Sequence, residues 1–153
     1  ARTLDAAGTE CRFQLVAFVF MPEHLHLLTY PLDEKPAFGA YLARVKQPFS
    51  RQIKEVFVSN HSRLLEQLTV QERPGKMSFR FWQEGAGYDR NVFSHEAIQH
   101  AMAYIHENPV RRGLCQTAVD WKWSSARYYF NELPRQQDPQ LPVIHGPPAG
   151  LFD

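Results

Sequence analysis

The chain is poor in cysteine and has almost no net charge. Cysteine occurs only at Cys11 and Cys115, which lack the spacing of a metal-binding pair, so we expect reduced thiols with a structural role in a cytoplasmic protein. The 17 basic and 16 acidic residues give a formal net charge of +1. This balance excludes binding to nucleic acid through a high overall positive charge, so a nucleic-acid surface must be a local patch.

Long hydrophobic runs are also missing, which excludes a membrane-spanning helix. No apolar stretch approaches a length of about 20 residues, which such a helix needs. The apolar segment 15–20 is short and leads into a strand pattern, so we expect no secretory signal. Hydrophobic residues make up 44% of the chain, as in globular domains. We expect one domain over 1–130 and a tail over 131–153, which carries five of the 11 prolines.

Two histidines one residue apart are the most informative feature of the sequence. His24 and His26 lie in an alternating pattern with leucines, in the run MPEHLHLL over 21–28. Because side chains of a strand alternate between faces, both imidazoles point the same way, about 6.5 Å apart along the strand. Two such imidazoles can hold one divalent metal ion between them. The alternative is a half-buried strand with two ordinary histidines.

A second motif lies about eighty residues further on, near the end of a predicted helix. Ser94 is a candidate N-cap, and apolar residues then recur at helical spacing. Pro109 disfavours the helical conformation at the preceding residue, which predicts a helix end near 107 or 108. Tyr104 and Asn108 are four residues apart, so they share a helix face. The alternative is a tyrosine that covers the core and an asparagine that ends the helix.

The remaining pattern predicts a mixture of helices and antiparallel strands. The first two strands form an antiparallel hairpin, and Pro48 is expected to kink or split the first long helix. In chain order the predicted elements are strands over 11–20 and 24–30, a helix over 38–58, a short helix or loop over 61–71, a strand over 77–82, a helix over 94–107 and a short helix over 123–130.

These motifs together resemble the single-tyrosine HUH transposases, most closely the REP-associated tyrosine transposases of bacteria. The resemblance covers about residues 12–130. The segments that carry it are MPEHLHLL at 21–28, FRFWQ at 79–83, GYDRN at 87–91, YIHENPVRRGL at 104–114 and WSSARY at 123–128. It implies an α+β fold in which helices cover an antiparallel, ferredoxin-like sheet.

The chain departs from the family pattern before its first strand. Relatives usually have a further strand and helix there, whereas residues 1–10 are not strand-like. We expect either a trimmed protein or a sheet that is completed differently, for example by a partner chain. A missing strand would leave an open sheet edge beside the hairpin and could compromise activity.

The resemblance also implies a chemistry for the two motifs. Tyr104 would be the nucleophile, and His24, His26 and Asn108 would hold a divalent cation, Mg²⁺ or Mn²⁺. The reaction would nick single-stranded DNA with hairpin-forming repeats and transfer the strand through a 5′-phosphotyrosine. The family also implies a homodimer. Two alternatives are an inactive DNA-binding module with the same fold, and an unrelated metal-dependent hydrolase or structural protein.

Clusters of basic residues predict where DNA would bind. One cluster lies on the helix over 38–58 and another follows Tyr104, with aromatic residues nearby that could stack on unpaired bases. Arg90 either forms a structural pair with Asp89 or binds a DNA hairpin. The alternative is a solvated helix face and a packed tryptophan cluster, although the catalytic motif favours DNA contact for its neighbours. The candidate DNA-binding residues are Arg44, Lys46, Arg51, Lys54, Arg90, Arg111, Arg112, Lys122 and Arg127.

Four further side chains have roles that the sequence leaves open. Tyr88 is a rival nucleophile, but it has no ligand-like residue four positions later. His106 is two residues from Tyr104 and therefore on another helix face, where we expect surface or phosphate contact. Glu23 either touches DNA or stabilises its turn. Tyr128 and its neighbour Tyr129 are expected to pack or stack.

Overall fold

A computed structural model describes residues 1–83, 87, 89–130 and 138–148. The chain divides into two compact units. The first unit comprises Ala1–Pro36 and Asn91–Asp153, and the second comprises Ala37–Arg90. All four residues of the predicted catalytic motifs belong to the first unit. The mixed helical and antiparallel architecture predicted from the sequence is confirmed. None of the described helices is both long and apolar enough to cross a membrane.

The first unit is built on the predicted hairpin. Strand β1 (Phe13–Phe20) pairs antiparallel with strand β2 (Leu25–Pro31), and Val19 stands opposite His26. Residues 15–19 of β1 are all buried, and because side chains of a strand alternate between faces, both faces of this strand are covered. A bulge between Leu15 and Ala17 shifts the register. The histidine motif therefore lies at the start of β2, next to the most deeply buried strand.

A helix precedes the hairpin. Helix α1 (Arg2–Cys11) confirms that these residues do not form a strand, and it ends at Arg12, whose φ of 56° is left-handed. Gly8 permits α1 to approach β1 closely, since a Cβ there would lie 2.9 Å from the Phe13 carbonyl oxygen. Any larger residue at this position would push the helix away from the strand.

Segments from later in the chain cover the edge of β1 that faces away from β2. The Phe20 amide donates to the Trp123 carbonyl at 2.8 Å, and the Ser125 amide donates to the Phe18 carbonyl at 3.0 Å. Ser124 forms an isolated antiparallel bridge with Val19, and the final helix α5 spans only Ala126–Phe130, so it begins later than predicted. Among the described residues this sheet has only two strands, so the outer edge of β2 has no strand partner there.

Part of the C-terminal tail packs within the first unit, against α1 and β1. The His145 amide donates to the Leu15 carbonyl at 3.0 Å, and the Val143 amide donates to Asp5 Oδ1 at 2.8 Å. Ile144 is 5% exposed. Residues 138–148 thus connect α1 to β1 without forming regular structure.

Replacement of the buried isoleucine of this segment should destabilise the protein. Ile144→Ala is expected to lower the free energy of unfolding by about 2–4 kcal/mol, because it leaves a cavity between the tail and the hairpin. Val143 is 46% exposed, so Val143→Ala is the matched control and should change stability by less than about 0.5 kcal/mol. Urea unfolding of both variants measures the difference, and equal losses would show that the tail is not anchored through Ile144.

Helix α4 (His95–Arg111) presents the second motif. Ser94 caps it as predicted, since its Oγ accepts a hydrogen bond from the Ala97 amide at 3.1 Å. The predicted end near residue 107 or 108 is wrong, because the helix continues through Pro109. It ends at Arg111, and just beyond this end Gly113 has a φ of 68° and the Leu114 amide donates to the Pro109 carbonyl at 2.9 Å.

This ending is a Schellman motif, and it places the asparagine inside the helix. The Gly113 amide also donates to the Val110 carbonyl at 2.9 Å, which completes the pair of bonds that define the motif. Asn108 therefore keeps the helical register that Tyr104 sets.

The second unit contains the other helices and a second hairpin. Helix α2 (Phe38–Ser59) is continuous through Pro48, so the predicted split does not occur. After helix α3 (Leu64–Gln67), strands β3 (Thr69–Arg73) and β4 (Lys76–Phe79) pair antiparallel. The sequence predicted only the second of these strands, as a segment over 77–82.

Candidate active site

The two histidines of the motif lie side by side at the start of β2. The ring centroids of His24 and His26 are 4.8 Å apart, with the rings close to perpendicular. This confirms that the alternation of the strand puts both imidazoles on one face. Each residue is only partly buried, so a ligand can reach the rings from solvent.

Helix α4 brings both predicted partners to the same histidine. The rings of Tyr104 and His26 meet edge to face, with centroids 5.3 Å apart. One helical turn later, Asn108 Nδ2 lies 3.2 Å from His26 Nε2. Asn108 is 6% exposed whereas Tyr104 is 47% exposed. The amide is therefore fixed within the fold, and the phenol is accessible to a large substrate.

The donor atoms suit a divalent cation. Burial lowers the pKa of His26, and the neighbouring His24 lowers it further, so the ring is neutral near pH 7 and one of its nitrogens carries a lone pair that can bind a metal ion. Neighbouring ligands of an octahedral ion are about 3 Å apart, which agrees with the 3.2 Å between Asn108 Nδ2 and His26 Nε2 once the amide turns its oxygen inward. No three described His, Cys, Asp or Glu side chains cluster as ligands, so a cation here would need the Asn108 amide.

Two arginines after Asn108 flank these residues. The Arg111 guanidinium lies over the Tyr104 ring, 5.6 Å from its centroid, which is a cation–π arrangement. Arg112 Nη2 donates to Glu23 Oε1 at 2.5 Å. Glu23 thus links the turn before the histidines to the end of α4, in agreement with the predicted role in stabilising the turn.

The other candidate DNA-binding residues of the first unit have partners within the fold. Lys122 Nζ donates to Gln140 Oε1 at 2.7 Å and lies over the Trp123 ring at 5.0 Å. Arg127 Nε donates to the Val119 carbonyl at 2.7 Å. Their contact with DNA stays a prediction.

The basic residues of the second unit lie mainly on α2. Arg44, Arg51 and Lys54 are exposed there and Lys46 is partly buried. Lys54 Nζ lies 6.0 Å from the centre of the Phe79 ring. Arg90 is exposed near the end of this unit. Their role in DNA binding is not tested by these contacts and stays a prediction.

The aromatic cluster of the second unit is packed rather than free. The Trp82 indole donates to the Lys46 carbonyl at 3.0 Å, and Phe49 contacts both Phe81 and Trp82.

Two other tyrosines were singled out in the sequence. Tyr129, in the first unit, donates to the Val16 carbonyl at 2.6 Å, which confirms its expected packing role. Tyr88, the rival nucleophile, lies outside the described residues.

His106 is the site residue that the sequence placed wrongly. It is 2% exposed, not at the surface, and its Nε2 lies 2.8 Å from Ser125 Oγ. The same hydroxyl accepts a hydrogen bond from the Phe18 amide at 2.9 Å. His106 lies between Tyr104 and Asn108 on α4, so its contact with Ser125 links this part of the helix to β1. The available signal was its spacing, because His106 follows by four residues Met102, which packs against the core.

Burial of His106 predicts a stability that depends on pH. Desolvation lowers its pKa from 6.5 to about 4, so the unfolded chain binds more protons between these values. Stability should therefore fall as the pH drops from about 6.5 to 4, by about 3 kcal/mol at most. His106→Gln is neutral and should show a smaller drop. Urea unfolding at pH 7 and 4.5 compares the two proteins, and an equal drop in both would contradict this account.

The chain was compared with family models, with curated proteins and with solved structures. No family model matches the chain. A Haemophilus influenzae protein provisionally named a REP-associated tyrosine transposase is 29% identical over 114 residues, which cover 74% of this chain. The match spans 58% of that relative's length, so the chain corresponds to little more than half of it.

The fold also matches a solved structure. It is that of a REP-associated tyrosine transposase bound to a REP hairpin, with a TM-score of 0.55 and 19% identity. The match covers 90% of this chain and 70% of the other. The resemblance to REP-associated tyrosine transposases that the sequence motifs predicted is therefore confirmed, in sequence by the curated relative and in fold by the solved structure.

Proposed function

We propose that the chain nicks single-stranded DNA and transfers strands through a 5′-phosphotyrosine at Tyr104. One observation carries this proposal: an accessible phenol and a buried amide, one helical turn apart, both contact the same histidine of the motif. The similarity to a REP-associated tyrosine transposase, and to one bound to a REP hairpin, supports a transposase that acts on hairpin-forming repeat DNA. The substrate we propose is such a hairpin with its single-stranded flank.

The proposed reaction is an exchange of one phosphate ester for another. The Tyr104 oxygen attacks the phosphorus of a phosphodiester and loses its proton, while the bond from phosphorus to the 3′ oxygen breaks. The departing 3′ oxygen takes up a proton and becomes a free hydroxyl. The ester energy is retained in the phosphotyrosine, so the 3′-hydroxyl of another strand can reverse the step and release Tyr104 without ATP.

The surrounding residues have defined tasks in this scheme. His24, His26 and Asn108 would hold Mg²⁺ or Mn²⁺, which when bound neutralises charge on the scissile phosphate. Arg111, already beside the Tyr104 ring, is placed to attract the same phosphate and to offset negative charge on the phenol oxygen. The contact between Asn108 and His26 fixes the distance between α4 and β2. This distance sets the direction from which the Tyr104 oxygen attacks the phosphorus.

A second candidate function is a DNA-binding module with this fold but without turnover. The unpaired outer edge of β2 favours it, because in the described residues the strand that carries His26 is supported on one side only. Looser support would allow the histidines to drift from the helix. Such a protein would still bind hairpin DNA through its basic residues.

The polarity of the covalent product tests the proposed function. The protein is incubated with Mn²⁺ and hairpin oligonucleotides that carry a label at either the 3′ or the 5′ end, then analysed on a denaturing protein gel. We expect label at the protein's mass only from the 3′-labelled DNA, since the 3′ fragment keeps the phosphate. Bound DNA without any labelled protein would favour the binding module. Label transferred from the 5′ end would exclude a 5′-phosphotyrosine.

We also propose where the protein acts and how many subunits take part. We expect the protein to act in the bacterial cytoplasm, where its DNA is, and as a homodimer in which Tyr104 serves the histidines of one or the other subunit. Mixing Tyr104→Phe and His26→Ala variants tests the second point. Recovery of covalent capture in the mixture would indicate that two subunits share a site.

A further inference from the structure

We propose that Glu23 is a positioning residue that orients His24 for metal binding. The inference rests on the proposed metal site and assigns a role to a side chain outside it. Glu23 directly precedes His24 in the turn before β2. Its Oε1 lies 3.6 Å from His24 Nδ1, slightly beyond hydrogen-bond distance.

The contact between Glu23 and His24 is of the kind that orients a histidine for metal binding. A histidine that binds metal through one ring nitrogen usually donates its other N–H to a carboxylate, carbonyl or water. A carboxylate at Nδ1 favours the tautomer with the proton on that nitrogen, which leaves the Nε2 lone pair free. Glu23 supplies such a carboxylate on the Nδ1 side of His24, and a small rotation of its side chain would close the hydrogen bond.

Arg112 determines where the Glu23 carboxylate lies. The same oxygen, Oε1, accepts the Arg112 Nη2 bond at 2.5 Å, so the arginine holds it within reach of the His24 ring. Both side chains of the ion pair are about half exposed, at 58% and 49%. Exposed pairs of this kind add little to stability. The pair is therefore better explained by the order it imposes at the histidines than by its contribution to folding.

An equally exposed ion pair on the same hairpin provides a matched control. Asp33, which follows β2, pairs with Arg12 at 2.7 Å, and the two side chains are 60% and 47% exposed. Asp33→Ala removes the same charge from the same hairpin, close to the opposite end of β2. It leaves the neighbourhood of His24 intact.

The test measures Mn²⁺ affinity in the absence of DNA. Free Mn²⁺ is titrated against the wild-type protein and three variants and followed by electron paramagnetic resonance. Glu23→Ala should weaken binding by about 10–100-fold. Glu23→Gln keeps an acceptor oxygen for Nδ1–H and should stay closer to wild type, while Asp33→Ala should bind as wild type does. Circular dichroism melting confirms that each variant is folded.

The outcomes separate orientation from simple attraction between charges. Equal losses in Glu23→Ala and Glu23→Gln would mean that only the charge matters, which would overturn the proposal, as would wild-type affinity in both. The ¹⁵N shifts of His24 give an independent measure, because they report which ring nitrogen carries the proton. We expect Glu23→Ala to shift this tautomer away from Nδ1–H. An unchanged tautomer would contradict the role even if covalent capture at Tyr104 is observed, so the two proposals can fail separately.

Discussion

A Tyr104→Phe variant is expected to form no covalent complex with DNA. Phenylalanine lacks the oxygen that becomes the phosphate ester, so capture should fall by about 10⁴-fold or more, as for other lost nucleophiles. The aromatic ring that packs 5.3 Å from His26 is retained, and Tyr104 is 47% exposed, so folding should be preserved. DNA binding should change little. The measurement is label transfer to protein on a denaturing gel, with a gel-shift assay for binding.

A second tyrosine of the hairpin provides the control for this substitution. Tyr30 lies on β2 with 38% exposure, so Tyr30→Phe removes an accessible hydroxyl from the strand that carries His26. Capture by Tyr30→Phe should equal that of wild type. If capture survived in Tyr104→Phe, another tyrosine would be the nucleophile, and Tyr88 would be the first to test.

A His26→Ala variant is expected to lose metal-dependent cleavage while it still binds DNA. His26 contacts both Tyr104 and Asn108, so its removal takes away a metal ligand and the surface that aligns the other two. Loss of charge stabilisation by a metal ion corresponds to several kcal/mol in the transition state, or about 10³-fold in rate. The rate of covalent capture with Mn²⁺ measures this effect, and EDTA should reduce wild type to a similar level.

The control for this variant is a histidine on the facing helix. His100 lies one turn before Tyr104 on α4 and is exposed, so His100→Ala removes an imidazole without touching β2. It should cleave as wild type does. Capture that persists in His26→Ala, or in wild type with EDTA, would show that the reaction does not depend on a metal at these histidines.

The histidine pair could be predicted from sequence because its geometry is local. The period of two in a strand is enough to put His24 and His26 on one face, and the structure has them there with rings 4.8 Å apart. Likewise, a spacing of four is enough to align Tyr104 with Asn108 on a helix. That both pairs meet follows from the family resemblance, and not from either spacing.

Three features were missed, because their signals in the sequence are weak, opposed by a local rule or supplied by a distant residue. Strand β3 is mostly exposed, so its residues carry no alternation of polar and apolar side chains to mark it. The continuation of α4 past Pro109 depends on the Schellman ending at Gly113, which local proline rules do not foresee. Burial of His106 requires Ser125, which is 19 residues away and held in place by β1.

The most direct test of the account is to identify the modified residue by mass spectrometry. Wild-type protein is allowed to react with hairpin DNA and Mn²⁺, the DNA is trimmed with nuclease, and tryptic peptides are sequenced by fragmentation. We predict a nucleotide adduct on Tyr104, in the peptide that runs into the Arg111 cleavage site. An adduct on Tyr88 or Tyr128, or cleaved DNA with no modified tyrosine at all, would contradict the assignment of this site.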